Sequence, residues 1–452
     1  MARISARELA LQVLRYVDEE GAYANLALNQ VLEKYQPGKL DRAFATELTY
    51  GVLRSLNTLD WVLAKFIKRP LTSQTVALRN ILRLGVYQLM FMDRVPHSAA
   101  CNEGTEMARR YCGHPGAIKF VNGVLRNVAR RIKEIRFPEI KQNPVEHISL
   151  RYSHPAWLVE RWLKDFGLKE TILLCRANNE PAPNTVRTNT IKITREGLAA
   201  RLRKDGLTIC QTDYAPEGLR ISGLFSFNSL EAFHEGLFQV QDESSMLAGR
   251  ALMPSSGTCV LDACSAPGGK TTHLAQLMDN QGEIVAVDIH PHRLKLIKEN
   301  CERLGIEIVQ GFTGDARELP EIMHNWADYV LIDAPCTGLG VLRRRPDSRW
   351  RKEPGQIPAI VQLQAEILTS AARCLKKGGV LVYSTCTINH EENLGQVKHF
   401  LRRHPDFILE DLSQFLPVGL DLEGTMAGGY LQILPHYHGM DGFYICRMRK
   451  KG

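Results

Sequence analysis

Two cysteines stand where chemistry is possible. Cys336, in IDAPCTG, and Cys386, in VLVYSTC, each follow a short β-rich run, and Asp333 ends the first of those runs. A lone cysteine is usually a small buried hydrophobe. Two at strand tips beside an acid have a different use, because a thiolate is a nucleophile and a nearby carboxyl can hold or move a proton.

A ligand loop lies upstream. VLDACSAPGGK places a tight turn, Cys264-Ser265-Ala266-Pro267-Gly268-Gly269-Lys270, after a strand and before a helix. Gly268 and Gly269 let backbone approach a ligand, and the helix start offers free N–H groups. The ending GGKTT mimics a phosphate loop, but Cys264 stands where the first glycine of GxxxxGK[ST] is required, and the spacing is not GxGxxG. Asp288 ends the next strand about 20 residues on, where an acid can hold ribose hydroxyls. Asp315, in GFTGDA, occupies the loop after a third strand, within reach of an adenine amino group, and Asp333 closes the fourth. On spacing alone each acid serves equally as a helix N-cap. Together they suit a nucleoside with a sulfonium tail better than a pyrophosphate.

A thiolate next to such a pocket has a definite use. Carbon 5 of cytosine is a poor nucleophile until a thiolate adds to carbon 6. A proton donor to ring nitrogen 3 then stabilises the adduct, and a base removes the carbon 5 proton so that the thiolate leaves. Asp333 is the candidate for nitrogen 3, provided burial raises its pKa. The base must be splayed from its stack to enter. Methylation of an exocyclic amine needs no cysteine and would favour an Asn- or Asp-Pro-Pro-Tyr strand end, whereas Asp333-Ala-Pro-Cys336 is present. DNA cytosine methylation remains open on chemistry.

The elements that must position these residues form three stretches. Residues 1–140 read as successive amphipathic helices, opening on a Ser5/Glu8 capping box. Residues 150–235 read as a small α+β domain, with two helices leading to the strand-like NTVRTNTIKIT. Residues 236–452 alternate strand and helix, the pattern of a doubly wound, Rossmann-like α/β sheet with its ligand at the carboxyl ends of the strands.

Charge follows the same division. Residues 1–140 hold 21 Lys and Arg against 13 Asp and Glu, while the rest hold 36 of each, so the net +8 belongs to the helical segment. That suits a polyanionic partner, or simply a solvated basic surface. The eleven cysteines form no CxxC pair, which excludes a zinc ribbon and leaves no expected metal. No apolar run reaches membrane-spanning length and MARISARELALQVL does not read as a signal peptide, so a cytoplasmic protein is expected.

At these residues the chain resembles a known family. DACSAPGGKTTH, VDIHPHRL, GDAR, IDAPCTGLGVLRRRPDSRW, VYSTCTINHEEN and LPHYHGMDGFYICRM are similar to the ordered motifs of the RNA cytosine-C5 methyltransferases over about residues 236–448. The resemblance implies S-adenosylmethionine as cofactor, held by residues 264–270, Asp288, Asp315 and Asp333. It makes Cys386 the nucleophile, gives Cys336 a part in product release and puts Asp333 against the base. DRAFATELTYGVLR, ILRLGVYQLMFMDRVP and FVNGVLRNVARR resemble the RNA-binding helical domain of NusB. That fusion points to the bacterial ribosomal RNA small subunit methyltransferase B family, with 16S ribosomal RNA as partner and a monomeric enzyme. The rivals are the same chemistry on tRNA and a non-catalytic RNA-binding protein with a degenerate domain; no cysteine or loop residue is lost here.

Two basic groups enter as hypotheses. Arg343, Arg344, Arg345, Arg349, Arg351 and Lys352, with Trp350, could clamp phosphates and stack a base, or form a solvated loop tethered by Asp347. Arg126, Arg130 and Arg131 are candidate RNA contacts on one helix.

Overall fold

A computed structural model describes residues 4–224 and 226–452, so Met1 to Arg3 of the opening segment lie outside it. The chain divides into two compact units, one of residues 1–180 with 342–354, the other of 181–341 with 355–452.

The first unit is helical: α1 (Ala6–Glu19), α2 (Ala24–Tyr35), α3 (Lys39–Arg54), α4 (Leu56–Ala64), α5 (Val76–Phe91), α6 (His97–Tyr111), α7 (Pro115–Arg131), α8 (Pro144–Arg151) and α9 (Ala156–Ala177). The expected capping box opens α1. Ser5 Oγ accepts from the Glu8 amide and Glu8 accepts from the Ser5 amide at 2.8 Å. The apolar faces meet in a core that includes Leu14, Leu48, Val52, Leu82, Leu84 and Leu125. Each such leucine contributes about 2 kcal/mol of transfer free energy.

The second unit begins with β1 (Asn184–Thr188), α10 (Arg195–Lys204), β2 (Thr208–Gln211), β3 (Gly218–Ser222), α11 (Glu231–His234) and β4 (Phe238–Val240). Its strands form an antiparallel sheet in the order β2-β3-β1-β4. Then come α12 (Glu243–Leu252), β5 (Cys259–Asp262), α13 (Gly269–Leu277), β6 (Glu283–Asp288), α14 (Pro291–Leu304), β7 (Val309–Thr313), α15 (Pro320–Met323), β8 (Ala327–Asp333), α16 (Ile357–Cys374), β9 (Leu375–Thr385), α17 (Leu394–Arg403), β10 (Phe407–Leu409), β11 (Tyr430–Ile433) and β12 (Phe443–Lys450).

The main sheet runs β10-β12-β9-β8-β5-β6-β7, with β11 also on β12. β5 to β9 are mutually parallel, and the three strands that follow add antiparallel. Val380 to Thr385 of β9 are all buried, as expected of a strand covered on both faces. From β5 the order proceeds one way to β6 and β7 and the other way to β8 and β9. This is the switch point where doubly wound sheets bind ligands beyond their strand ends. The loop after β5 and the end of β8 both lie there.

Candidate active site

The loop from Cys264 to Lys270 is shaped by Gly268, whose φ of +94° favours glycine and where a Cβ would come within 3.1 Å of Ile297 on α14. Backbone conformation and packing therefore both hold this position to glycine. Behind the loop, Arg187 of β1 is fully buried and donates to Gln276 at 2.7 Å, to Thr272 at 2.9 Å and to the Gly269 carbonyl. The small antiparallel sheet thereby braces the start of α13.

A cavity of about 430 Å³ opens at the strand ends, lined by Cys264, Ala266, Asp288, Asp315, Asp333 and Pro335 among others. Burial, and then the charges of Asp262, Asp333, Asp288 and Asp315, hold the Cys264 thiol well above the ordinary range. So much negative charge around one cavity suits a cationic ligand bearing hydroxyl donors.

The acids differ in what they already hold. Asp288 Oδ1 accepts from the His290 amide at 2.9 Å. Asp315 binds the Arg317 guanidinium through both oxygens, and that pairing lowers its pKa. Asp333 Oδ2 lies 2.6 Å from the Lys270 ammonium and its Oδ1 accepts from Ser384 at 3.1 Å. The expectation of a buried Asp333 needs correction, because its side chain is 29% exposed and ion-paired. The buried acid is instead Asp262, which closes β5. Desolvation pushes it up to about 7, against a hydrogen bond from Thr271 at 2.7 Å. Its signal, an aspartate ending a β-run in LDACSAPGGK, is the same one that marked Asp288 and Asp333.

The two cysteines meet. Cys336 Sγ and Cys386 Sγ are 3.2 Å apart, although 50 residues separate them in sequence. The hydrogen bond to Cys386, followed by burial, raises the Cys336 pKa well above that of a free thiol. This pair holds one negative charge more readily than two. Lys270 also sits over the Phe443 ring, 5.0 Å from its centre.

Within the basic segment after Cys336, Arg349, Trp350 and Arg351 are taken up by the protein's own backbone. Arg349 is fully buried in the first unit and donates to the carbonyls of Ser153 and Asn178 at 2.9 Å and to Asn179 Oδ1 at 2.8 Å. Trp350 Nε1 donates to the Leu53 carbonyl at 2.7 Å, and Arg351 to the Gly21 carbonyl at 2.7 Å. Asp347 accepts from the Ala24 amide at 3.3 Å. These side chains satisfy helix ends and turns. Among the described residues no group of three or more His, Cys, Asp or Glu could hold a metal ion, and no helix is long and apolar enough to cross a membrane.

Comparison with known proteins agrees with this architecture. Residues 250–449 match the 16S rRNA methyltransferase RsmB/F family, residues 4–130 the NusB family, and residues 154–227 the ferredoxin-like domain of RsmF/B-like methyltransferases. The "Probable ribosomal RNA small subunit methyltransferase B" of Bacillus subtilis (strain 168) is 39% identical, and all of both chains is covered. The "Ribosomal RNA small subunit methyltransferase B" of Klebsiella pneumoniae (strain 342) is 36% identical over 99% of each. Among solved structures, PH0851 matches with TM-score 0.83 and 32% identity over 99% of each chain. NSun6 from Pyrococcus horikoshii, crystallised with SFG, matches with TM-score 0.60 and 30% identity over 66% of this chain and 98% of that one. With its NusB domain, ferredoxin-like domain and parallel-sheet methyltransferase domain, the chain belongs to the ribosomal RNA small subunit methyltransferase B family.

Proposed function

We propose that this ribosomal RNA methyltransferase modifies carbon 5 of a cytosine in 16S ribosomal RNA, using S-adenosylmethionine and a covalent adduct to Cys386. The observation that carries the reading is the pair of sulfurs 3.2 Å apart beside Asp333, where an acidic cavity ends. Transfer to an exocyclic amine would have no use for two such thiols.

In this reading the loop from Cys264 to Lys270, with Asp288, Asp315 and Asp333, holds the cofactor, which supplies the methyl group. The fit rests on the acids around the cavity, and the NusB, ferredoxin-like and methyltransferase matches support an enzyme acting on RNA, with the cytoplasm as its proposed location. Cys386 adds as thiolate to carbon 6 and makes carbon 5 nucleophilic. Cys336, held as a thiol by its neighbour and its burial, keeps a proton beside that thiolate. Asp333, held 2.6 Å from the Lys270 ammonium, is the group that meets nitrogen 3 in this reading. On release, a base takes the carbon 5 proton, that bond's electrons re-form the 5,6 double bond, and the sulfur–carbon pair returns to Cys386. By the family resemblance Cys336 assists this step.

Labelled cofactor, protein-free 16S ribosomal RNA and bulk tRNA, followed by digestion to nucleosides, tests the proposal. Label in 5-methylcytidine from the ribosomal RNA is expected. Label in N4-methylcytidine would refute the carbon 5 chemistry, and label confined to tRNA would refute the ribosomal substrate.

A further inference from the structure

Glu392 has no place in the reaction so far, yet it is fully buried beside both cysteines. Its Oε2 accepts from the Thr337 amide at 2.8 Å and from Gln364 Nε2 at 3.1 Å. Its Oε1 accepts from Thr337 Oγ1 at 2.5 Å and from Asn389 Nδ2 at 2.7 Å. Thr337 follows Cys336, and Asn389 lies three residues beyond Cys386. Gln364 also donates to the carbonyl of Pro335, the residue before Cys336, at 2.9 Å. Thr337 Oγ1 further meets Thr387 Oγ1 at 2.8 Å, and Thr387 follows Cys386.

One carboxylate thus ties the loop after β8 to the loop after β9. Every partner points a donor at it, as around a buried anion whose removal is costly. Asn393, its sequence neighbour, braces Cys386 on both sides, accepting from Thr385 Oγ1 at 2.6 Å and donating to the Thr387 carbonyl at 3.0 Å.

Resting on the carbon 5 reading above, we propose that Glu392 is the positioning residue of the thiol pair. Its carboxylate sets the separation of Cys336 and Cys386 and keeps the proton on Cys336 through adduct release. The negative charge of Glu392 acts on Cys336 in the direction that favours its thiol. In Glu392→Gln, one accepting oxygen becomes a donor facing donors, and the charge is lost.

The test separates this role from general stability and from the proposed reaction. In a Cys386→Ala background, alkylation of Cys336 by iodoacetamide is followed against pH by peptide mass spectrometry, with Glu392 intact and with Glu392→Gln. The substitution is expected to move the alkylation midpoint to lower pH, a readout that needs no RNA. In the otherwise native chain, Glu392→Gln is expected to lower methyl transfer at least tenfold while sinefungin binding stays within about twofold, and Glu392→Asp to recover part of the loss. Should Glu392→Gln fail to fold, Thr337→Val removes one of the four close contacts and is expected to slow transfer several-fold. An unmoved alkylation midpoint, or unimpaired transfer in both variants, would overturn the positioning role. A shifted midpoint in an enzyme that makes no 5-methylcytidine would leave it standing and sink the reaction it rests on.

Discussion

At the residue scale, the site works by giving four similar carboxylates different partners. Asp315 is satisfied by Arg317 and Asp333 by Lys270, whereas Asp262 is sealed from water with Thr271. Its pKa, raised from 3.8 to about 7, makes a prediction about stability. A carboxyl whose folded pKa lies above its unfolded value favours the native state when protonated. Its contribution is therefore largest below pH 4 and is lost as pH rises to 7. The full shift corresponds to about 4 kcal/mol as an upper bound, since the charge of Asp333 supplies part of it. Asp262→Asn, neutral at every pH, is expected to melt higher than wild type at pH 8 and to lose that advantage at pH 5. An advantage that is the same at both pH values would show that Asp262 is not buried neutral.

At the element scale, strand ends were legible in the sequence and tertiary docking was not. β5, β6 and β8 each close on an aspartate, and β9 runs straight into Cys386. That chemistry is local, because alternation and a final polar residue mark where a buried strand reaches the ligand edge. Glu392 lies in the motif VYSTCTINHEEN without a role assigned there, and only the fold brings Thr337 and Gln364 to it. The docking of Arg349 was hidden for the same reason. The charges of its segment suggest RNA until the carbonyls of Ser153 and Asn178 are seen to take up the guanidinium. Arg349→Ala is expected to cost about 2–4 kcal/mol, since it strands buried carbonyls and leaves a cavity. The folded fraction should bind RNA as wild type does. An unchanged melting midpoint with weakened RNA binding would restore the phosphate clamp.

At the scale of the whole molecule, charge is unevenly divided along the chain. The basic excess lies in residues 1–140, which include the NusB match, and the remainder is balanced. The charge asymmetry and the helical periodicity were both visible in the sequence. The grouping of helices α8 and α9 with the N-terminal helices was not, because it depends on contacts such as Thr58 Oγ1 with the Leu150 carbonyl at 2.6 Å. Nor did the antiparallel tail β10 to β12 announce itself, since a strand's direction is set by its partner.

The most direct test of the central claim follows the covalent step itself. Wild type, Cys386→Ala and Cys336→Ala are incubated with S-adenosylmethionine and protein-free small-subunit ribosomal RNA, then run on denaturing gels. The account predicts no methyl transfer and no protein–RNA band for Cys386→Ala, and an accumulating band for Cys336→Ala. Activity retained in Cys386→Ala and lost in Cys336→Ala, with the band absent, would contradict it by reversing the nucleophile.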